Sequence, residues 1–404
     1  MGEMTVRERL LTAYSGGTPD KVPFGAYHWS VCYRKYGCFC WMHEMKLAKE
    51  YGWDVHIRLN TLPKPNHVLS NYVYNIGPSP TEQYHSFYED LDEVNMTLKI
   101  KRGKKVTYVE RVIETPAGAL KDVTEHPIPG TGYGWLPNPK RLEPLIKGRE
   151  DVERIRYLLN AKPLKNRLED AKEIIEYVGE NGLVITTLYS PLDYLLGEAM
   201  DQTQLLTLYY DDRNLLEELL GIFQEFALRS VKPYLEIGVK VPLMGWIYAS
   251  PSYGWSPVIW EQILYPLLKE QVDFVHSYGA YALFYDDGKM KDTLPFLKRA
   301  GIDCVETLTP PPVGDVTLSE AREIMGSKVC LKGGLDSIGV LQKGDRESIE
   351  RQVERLIREG SEGGPYILFN SATISWETPL ENVEAYVKAA HKYREKYRPS
   401  QVKQ

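Results

Sequence analysis

The chain has 404 residues, of which 43% are hydrophobic and 26% are charged, a composition typical of a globular protein with a large core. Its net charge of -6 provides no basic surface for a nucleic-acid backbone, and no apolar run approaches the roughly 20 residues that span a bilayer. The first residues, MGEMTVRERLL, carry charges where a signal peptide has an apolar core, so we expect a cytoplasmic protein.

Short apolar runs recur along the chain, each followed by polar or Gly/Pro residues and then by a helical pattern. They occupy residues 22–28, 54–59, 183–189, 241–248, 281–287, 303–308, 328–333 and 366–371. The helical patterns are clearest in the second half, where several end in glycine, as helix C-caps do. Eight such units predict an α/β protein with a (β/α)8 TIM barrel.

One long segment, at about 60–182, does not fit a single strand and helix unit. Its central part alternates like paired strands around Arg102 and Gly103, and residues 149–180 form a charged helical pattern. We expect a β-rich insertion after the second barrel strand. No Ser/Gly linker divides the chain, so residues 1–404 are expected to form a single barrel domain.

In a TIM barrel the carboxyl ends of the strands and the loops after them build the active site. Here these positions are rich in polar and aromatic residues, more than a purely structural barrel needs. They are His28, Trp29, Arg58, Asn60, Tyr189, Tyr248, Tyr285, Asp286, Asp287, Glu306, Thr307, Lys332, Asn370 and Ser371.

The fifth apolar run ends in the stretch ALFYDDGK, which places two acids directly after hydrophobic residues. Alternation along a strand sends Tyr285 and Asp287 to one side and Asp286 to the other. The two acids either cap the following helix or serve a working site. Glu306, among apolar neighbours, is either a barrel-facing carboxyl or a buried acid paired with Arg or Lys.

His28 follows the first strand, where a structural role and a catalytic role are both open. The five cysteines are an odd number for a disulfide framework. Cys32, Cys38 and Cys40 lack the paired C-x2-4-C spacing of structural zinc sites, which favours buried thiols.

Several stretches together resemble the uroporphyrinogen decarboxylase superfamily and, within it, the corrinoid-dependent methyltransferase branch. They are RERLLTAYSGGTPDKVPF (7–24), SPVIWEQILYPLLK (256–269), ALFYDDGK (282–289), LKGGLDSIGVLQKG (331–344) and TPLENVEAYVKAA (378–390). The resemblance implies a (β/α)8 barrel, in agreement with the strand pattern.

The chain departs from two patterns of that superfamily. The Arg-Gln-Ala-Gly-Arg-Tyr signature of the tetrapyrrole decarboxylases is replaced by GAYHWSVCYRKYG, so the arginine pair for a polycarboxylate is missing although Arg34 and Lys35 remain. The zinc-binding His-x-Cys pair and later Cys of thiol-activating members correspond to Tyr285, Asp287 and Ser371. An all-oxygen set disfavours zinc. If zinc binds, the candidates are Asp287, Glu306 and His28.

The resemblance therefore implies a methyltransferase of the O-demethylase type. It would move a methyl group from a methoxylated aromatic compound to the Co(I) corrinoid of a partner protein, since the chain has no corrinoid-carrier signature of its own. The leaving oxygen must be protonated or bound to a Lewis acid, and the candidates for the proton donor are Tyr285, Asp286, Asp287 and Glu306. The substrate-binding candidates are His28, Trp29, Tyr189, Tyr248, Tyr253, Trp255 and Asn370, with Tyr27 as a further aromatic wall.

Three alternatives remain open from the sequence. Aromatic walls also suit a methylamine or a quaternary amine as the methyl donor. A decarboxylase acting on a tetrapyrrole or a smaller carboxylic acid needs no partner, and a non-catalytic barrel would bind a ligand without turnover. A homodimer is also left open.

Overall fold

The computed structural model describes residues 3–37, 39–59, 93–128, 130–132, 139–159 and 166–397. The chain divides into two compact units. The first comprises Met1–Leu62, Asp170–Leu188 and Val231–Gln404, and the second comprises Pro63–Glu169 and Tyr189–Ser230. The expectation of a single domain remains a prediction.

The described residues contain strands in a parallel sheet and an antiparallel sheet. In chain order they are β1 (His56–Arg58), β2 (Asn95–Arg102), β3 (Val106–Thr115), β4 (Gly118–Pro127), β5 (Lys140–Glu143), β6 (Leu183–Tyr189), β7 (Pro242–Gly245), β8 (Leu283–Tyr285), β9 (Cys304–Thr307), β10 (Cys330–Leu335) and β11 (Tyr366–Asn370). The parallel sheet has the order β1-β6-β7-β8-β9-β10-β11, so neighbours in space follow one another along the chain.

An eighth segment links the two edges of the parallel sheet. Phe24 forms a parallel bridge with Leu368 of β11, and the Gly25 amide donates to the Leu368 carbonyl at 3.1 Å. On the other side the Asp54 amide donates to the Phe24 carbonyl at 2.8 Å. Pro23 has no amide hydrogen to donate, which limits regular strand pairing here. The predicted (β/α)8 barrel class is confirmed, and the first apolar run is its irregular strand.

The interior of the barrel is apolar because parallel strands are buried on both faces. Alternate residues such as Leu183 and Ile185 of β6, and Val241 and Leu243 around β7, enter one buried cluster. Tyr14, near the end of the first helix, joins the same cluster. Full burial of each Leu or Ile contributes about 1.5–3 kcal/mol, which makes this cluster a main source of stability.

Helices connect the strands in the order that the sequence pattern predicts. Their bounds are α1 (Val6–Tyr14), α2 (Trp29–Tyr36), α3 (Trp41–Tyr51), α4 (Val152–Leu159), α5 (Asn166–Val178), α6 (Pro191–Tyr194), α7 (Gln202–Asp211), α8 (Arg213–Glu236), α9 (Pro257–Ile259), α10 (Tyr265–Ser277), α11 (Leu294–Ala300), α12 (Leu318–Met325), α13 (Arg346–Ser361) and α14 (Leu380–Lys396). A capping box of Thr5 and Glu8 starts α1. Across the described part of the chain, every helix is too short or too polar to cross a membrane.

The second unit contains the antiparallel sheet, in the order β2-β3-β4-β5. Arg102 at the end of β2 pairs with Thr107 of β3, so the chain reverses just after Arg102, where the sequence predicts a turn. Arg111 of β3 and Asp122 of β4 form a buried pair with two hydrogen bonds, at 2.8 and 2.7 Å. The predicted β-rich insertion is confirmed, and residues 60–92 of it lie outside the described residues.

Candidate functional site

Three neighbouring barrel strands bring polar side chains to the same level of the sheet. Tyr285 of β8 pairs in register with Glu306 of β9, and Glu306 pairs in register with Lys332 of β10. Residues at one register position of a parallel sheet share a face. These three side chains lie near the carboxyl ends of their strands, where TIM-barrel active sites form.

Glu306 forms a buried network with a lysine and a tyrosine. Its Oε1 accepts a hydrogen bond from the Tyr27 hydroxyl at 2.7 Å and lies 2.9 Å from Lys332 Nζ. Glu306 and Lys332 are both almost completely buried. Of the two roles open for Glu306 in the sequence, pairing with a lysine is therefore the one observed. Burial, together with the Glu306 charge, raises the pKa of Tyr27 well above its usual value.

The second carboxyl oxygen of Glu306, Oε2, is buried and has no hydrogen-bond partner within the described structure. A buried carboxylate oxygen without a partner is costly. The Lys332 ammonium also lies 4.1 Å from the ring centre of Phe369, which gives it a cation–π contact as well as the ion pair.

Tyr285 and Asp287 form a second polar pair at the end of β8. The Tyr285 ring packs edge-to-face on Tyr27 with centres 5.8 Å apart. Burial, followed by the nearby Asp287 charge, raises the pKa of Tyr285 well above its usual value. Burial also raises the pKa of Asp287, although its own backbone and the Tyr285 side chain partly oppose this by hydrogen bonding. Asp287 is only partly buried, so it combines a raised pKa with access.

Asp286 has a different position from Asp287. It is fully buried, and its Oδ1 accepts a hydrogen bond from the Gly288 amide at 2.8 Å. Its backbone amide donates to the Glu306 carbonyl at 2.9 Å. Asp286 therefore stabilises the turn after β8. The helix-capping alternative is wrong for this acid, because α11 begins only at Leu294 with Thr293 as its N-cap residue.

His28 contacts an acid that the sequence pattern did not reveal. Its Nδ1 lies 2.6 Å from the Ala26 carbonyl, and its Nε2 lies 3.2 Å from Glu44 Oε1. Both side chains are buried, and burial raises the pKa of Glu44 despite the opposing effect of His28. Glu44 was missed because an acid in the first turn of a helix is usually read as a surface residue. Only the fold brings α3 beside His28.

A cavity of about 30 Å³ lies inside the barrel unit, which is about the space of one water molecule. Its walls are mostly aromatic or cationic and include Tyr27, Trp29, His56, Arg58, Lys332 and Phe369, together with His28 and Glu44. The Arg58 guanidinium lies 5.8 Å from the ring centres of both Tyr27 and Trp29. The site therefore combines flat rings with two cations, Arg58 and Lys332, and two acids, Glu44 and Asp54.

His56 was also missed by the sequence analysis, because a histidine within a short strand gives no distinct signal. Its Nε2 lies 2.7 Å from the Tyr14 hydroxyl, and its Nδ1 has no hydrogen-bond partner within the described structure. Burial, and then the charges of Lys332 and Arg58, hold the pKa of His56 well below its usual value. This environment therefore favours the neutral form of His56.

The remaining predicted binding residues lie in other surroundings. Trp255 is almost fully buried and donates its indole N–H to the Tyr248 carbonyl at 2.7 Å. Tyr248 and Tyr253 pack edge-to-face at 5.2 Å. Asn370 Oδ1 accepts a hydrogen bond from the Tyr27 amide at 2.8 Å. This bond fixes the backbone of the first barrel segment at Tyr27. Tyr189 belongs to the second unit, where its ring packs on that of Tyr194. Asn60 lies outside the described residues.

The zinc candidates do not form a ligand set. Among the residues that the structure describes, no three His, Cys, Asp or Glu side chains are grouped so that they could hold a metal ion. Glu306 is held by Lys332 and Tyr27, whereas His28 is held by Glu44 and Ala26. The described cysteines are buried and form no disulfide with one another, and Cys38 lies outside the described residues.

The fold places this protein in the class of α/β barrels. Its polar side chains gather at the carboxyl ends of the barrel strands. The chain matches the family model of uroporphyrinogen decarboxylase (URO-D) over residues 134–393, which is more than half of its length. It belongs to this family, as the sequence predicted.

Similar proteins include methyltransferases. A methylated-thiol–coenzyme M methyltransferase of Methanosarcina mazei is 30% identical over 102 residues, which are 25% of this chain and 25% of that protein. The methylcobamide:CoM methyltransferase MtaA of Methanosarcina barkeri is 25% identical over 236 residues, which are 58% of this chain and 66% of that protein. The matches thus span less than two thirds of these relatives. The predicted resemblance to the corrinoid methyltransferase branch is confirmed.

A solved structure of a methyltransferase from Methanosarcina mazei has a TM-score of 0.62 to this chain. The identity is 18%, and the alignment covers 97% of this chain and 99% of that one. At this identity the comparison supports the fold alone.

Proposed function

We propose that the protein is a methyltransferase that moves a methyl group from a methoxylated aromatic compound to the Co(I) corrinoid of a partner protein. The observation that carries the proposal is Asp287, which lies beside Tyr285 at the carboxyl end of a barrel strand. Burial raises the pKa of the Asp287 carboxyl. The similarity to methyltransferases whose names include a methylcobamide supports the corrinoid as methyl carrier. Tyr285, Asp287 and Ser371, which stand where the thiol-activating members that the sequence resembles carry zinc ligands, favour a donor-side reaction.

The reaction requires acid assistance because an alkoxide or phenolate is a poor leaving group. The methyl C–O bond breaks with its electron pair going to oxygen, the oxygen takes a proton from the enzyme, and the Co(I) electron pair forms the Co–C bond. Proton donation in the transition state typically contributes 10²–10⁴-fold to a rate. Among the candidate acids, Asp287 fits this role best because burial favours its protonated form.

The other candidate acids have roles that support the site. Glu306 is paired with Lys332 and Tyr27, and Asp286 is bound to the turn after β8. Tyr285, packed on Tyr27 and close to Asp287, would position the acid and form part of the ring-binding wall. Tyr27, Trp29 and Phe369 line a cavity with the space of about one water molecule, so an aromatic methyl donor would stack on these rings only after they move apart.

The test uses methoxybenzoates, methoxyphenols and methylamines as donors and Co(I) cobalamin on a carrier protein as acceptor. Formation of methyl-cobalt is followed by its visible spectrum, and the demethylated phenol by chromatography. Asp287→Asn should lower the rate by about 10²-fold or more. Asp292→Asn, which changes an exposed aspartate in the following loop, is the matched control and should not change the rate.

The pH dependence gives a second readout. Since burial raises the pKa of Asp287, the wild-type rate should fall as the pH rises through that pKa, and Asp287→Asn should lose this limb. A full rate in Asp287→Asn would show that another group supplies the proton. Release of carbon dioxide from uroporphyrinogen, without methyl transfer from any donor, would instead favour a decarboxylase. The cytoplasmic location expected from the sequence is part of this proposal.

A further inference from the structure

The loop that carries Asp287 is tied to both neighbouring loops. It comprises residues 286–291, directly after β8. Ser250, in the loop after β7, donates its hydroxyl to the Lys289 carbonyl at 3.1 Å and accepts from the Lys289 amide at 3.2 Å. Asp315, in the loop after β9, accepts from the next two backbone amides at 2.8 and 3.1 Å. These bonds fix the far end of the loop, beyond Asp287.

Two buried threonines hold the near end of the same loop. Thr307 is the last residue of β9, and Thr309 follows it by two positions. The Thr309 hydroxyl donates to the Asp287 carbonyl at 3.1 Å and lies 2.8 Å from the Thr307 hydroxyl oxygen. The Thr307 hydroxyl also lies 3.2 Å from the Asp286 carbonyl, which already accepts from the Thr307 amide at 3.0 Å. We call Thr307 and Thr309 the threonine clamp.

The number of hydroxyl hydrogens decides how the threonine clamp is bonded. Each hydroxyl has one hydrogen to donate, whereas the two hydroxyls make three contacts with oxygen. Because an amide already serves the Asp286 carbonyl, one arrangement satisfies every oxygen: Thr307 donates to Thr309, and Thr309 donates to the Asp287 carbonyl. Hydrogen bonds in such a buried chain strengthen one another. Thr309 is therefore the residue that fixes the backbone of Asp287.

The backbone between the two threonines is strained and closely surrounded. Leu308 is a buried residue with a φ of 51°, a left-handed conformation that is unfavourable for a side chain other than glycine. A Cβ added at Gly314 would lie 1.8 Å from the Thr309 carbonyl oxygen, and one added at Gly333 would lie 1.6 Å from the Thr307 carbonyl oxygen. Strained backbone persists where its surroundings impose it, and it is concentrated at functional sites. The threonine clamp is thus held rigidly by its neighbours.

We infer that Thr309 is a positioning residue for the acid Asp287, an inference that rests on the proposed function. A carboxyl donates a proton to a leaving oxygen only when it is directed at that oxygen, and a fixed backbone limits the directions open to it. Thr309 supplies this constraint through the Asp287 carbonyl and makes no use of the carboxyl itself. The carboxyl therefore remains available for proton transfer.

The threonine clamp also governs the surroundings of the carboxyl. Burial raises the pKa of Asp287, although its own backbone and the Tyr285 side chain oppose this by hydrogen bonding. Asp286 on the same segment, Glu306 of β9 and Arg58 of β1 are the other charged groups that act on Tyr285. Without the clamp hydroxyl, the loop would turn the Asp287 carboxyl toward water, where its pKa falls toward the ordinary value.

The test follows variants of Thr309 by two measurements. Methyl transfer from methoxybenzoates and methoxyphenols to Co(I) cobalamin gives kcat and KM, and 13C NMR of labelled aspartate carboxyls gives the titration of Asp287, assigned by its loss in Asp287→Asn. Thr309→Val and Thr309→Ala remove the hydroxyl and should lower kcat at least about tenfold, with KM changed less than about twofold. Both should lower the midpoint of the Asp287 titration by about one pH unit. Thr309→Ser keeps the hydroxyl and should restore both values. Thr203→Val, at an exposed position of α7, is the control and should change neither.

The titration decides the inference. An unchanged Asp287 midpoint in Thr309→Val and Thr309→Ala overturns it, whatever the rate, because the hydroxyl then has no effect on the acid. An equal shift in Thr309→Ser also overturns it, since the hydroxyl is then not the cause. Urea unfolding checks that each variant is folded, and if Thr309→Val is not, the result for Thr309→Ala stands alone. If the wild type methylates no cobalt from any donor, the proposed function fails, while the NMR titration still decides whether Thr309 positions Asp287.

Discussion

Lys332→Met tests whether the buried ion pair with Glu306 organises the barrel end. Lys332 Nζ lies 2.9 Å from Glu306 Oε1, and both side chains are almost completely buried. Removing the ammonium leaves a buried carboxylate with one hydrogen bond, from Tyr27 at 2.7 Å. Loss of one partner of a buried pair typically costs about 3–5 kcal/mol, because the other charge is left uncompensated. We expect a loss of that size in the free energy of unfolding.

The measurement is urea unfolding at pH 7, followed by circular dichroism, for the single and double variants. Glu306→Gln/Lys332→Met removes both charges and should recover at least about 2 kcal/mol of the loss, since a contacting pair is not additive. Lys388→Met, an exposed position on α14, is the matched control and should change stability by less than about 0.5 kcal/mol. A double variant no more stable than Lys332→Met would refute the reasoning, because the uncompensated charge would then not be the cause.

Three further predictions concern other parts of the chain. Arg111→Met should cost about 1.5–3 kcal/mol in unfolding experiments, because Asp122 would lose two buried hydrogen bonds but keep Arg141 at 2.9 Å, and a loss below about 1 kcal/mol would contradict this. Burial lowers the pKa of His126 to about 4, so stability should fall by about 3 kcal/mol as the pH drops from about 6.5 to 4, measured by urea unfolding. His126→Asn should remove most of this slope. Gly333→Ala should prevent stable folding, as judged by soluble yield, because Gly333 has φ +120° and an added Cβ would lie 1.6 Å from the Thr307 carbonyl oxygen. Gly221→Ala, with open space around it in α8, should instead stabilise slightly.

The structure distinguishes the contacts of residues to which the sequence analysis gave the same role. Asp286 and Asp287 are neighbours with the same chemistry, and alternation along β8 predicts opposite directions for them. The structure shows that Asp286 binds the Gly288 amide whereas Asp287 stays partly accessible beside Tyr285. Trp255 was grouped with the aromatic walls, but its indole binds the Tyr248 carbonyl. Composition cannot distinguish these roles because they depend on contacts made by other elements.

The sequence by itself determined the barrel and its insertion, because those features depend on local patterns of apolar residues, turns and alternation. It also marked Glu306 as unusual, since an acid among apolar neighbours needs a partner. The partners were decided only by the tertiary structure. Tyr27 lies 279 positions from Glu306 along the chain, and Lys332 reaches it only because β9 and β10 pair in register. Contacts between segments that are distant along the chain, which no local pattern encodes, bring these side chains together.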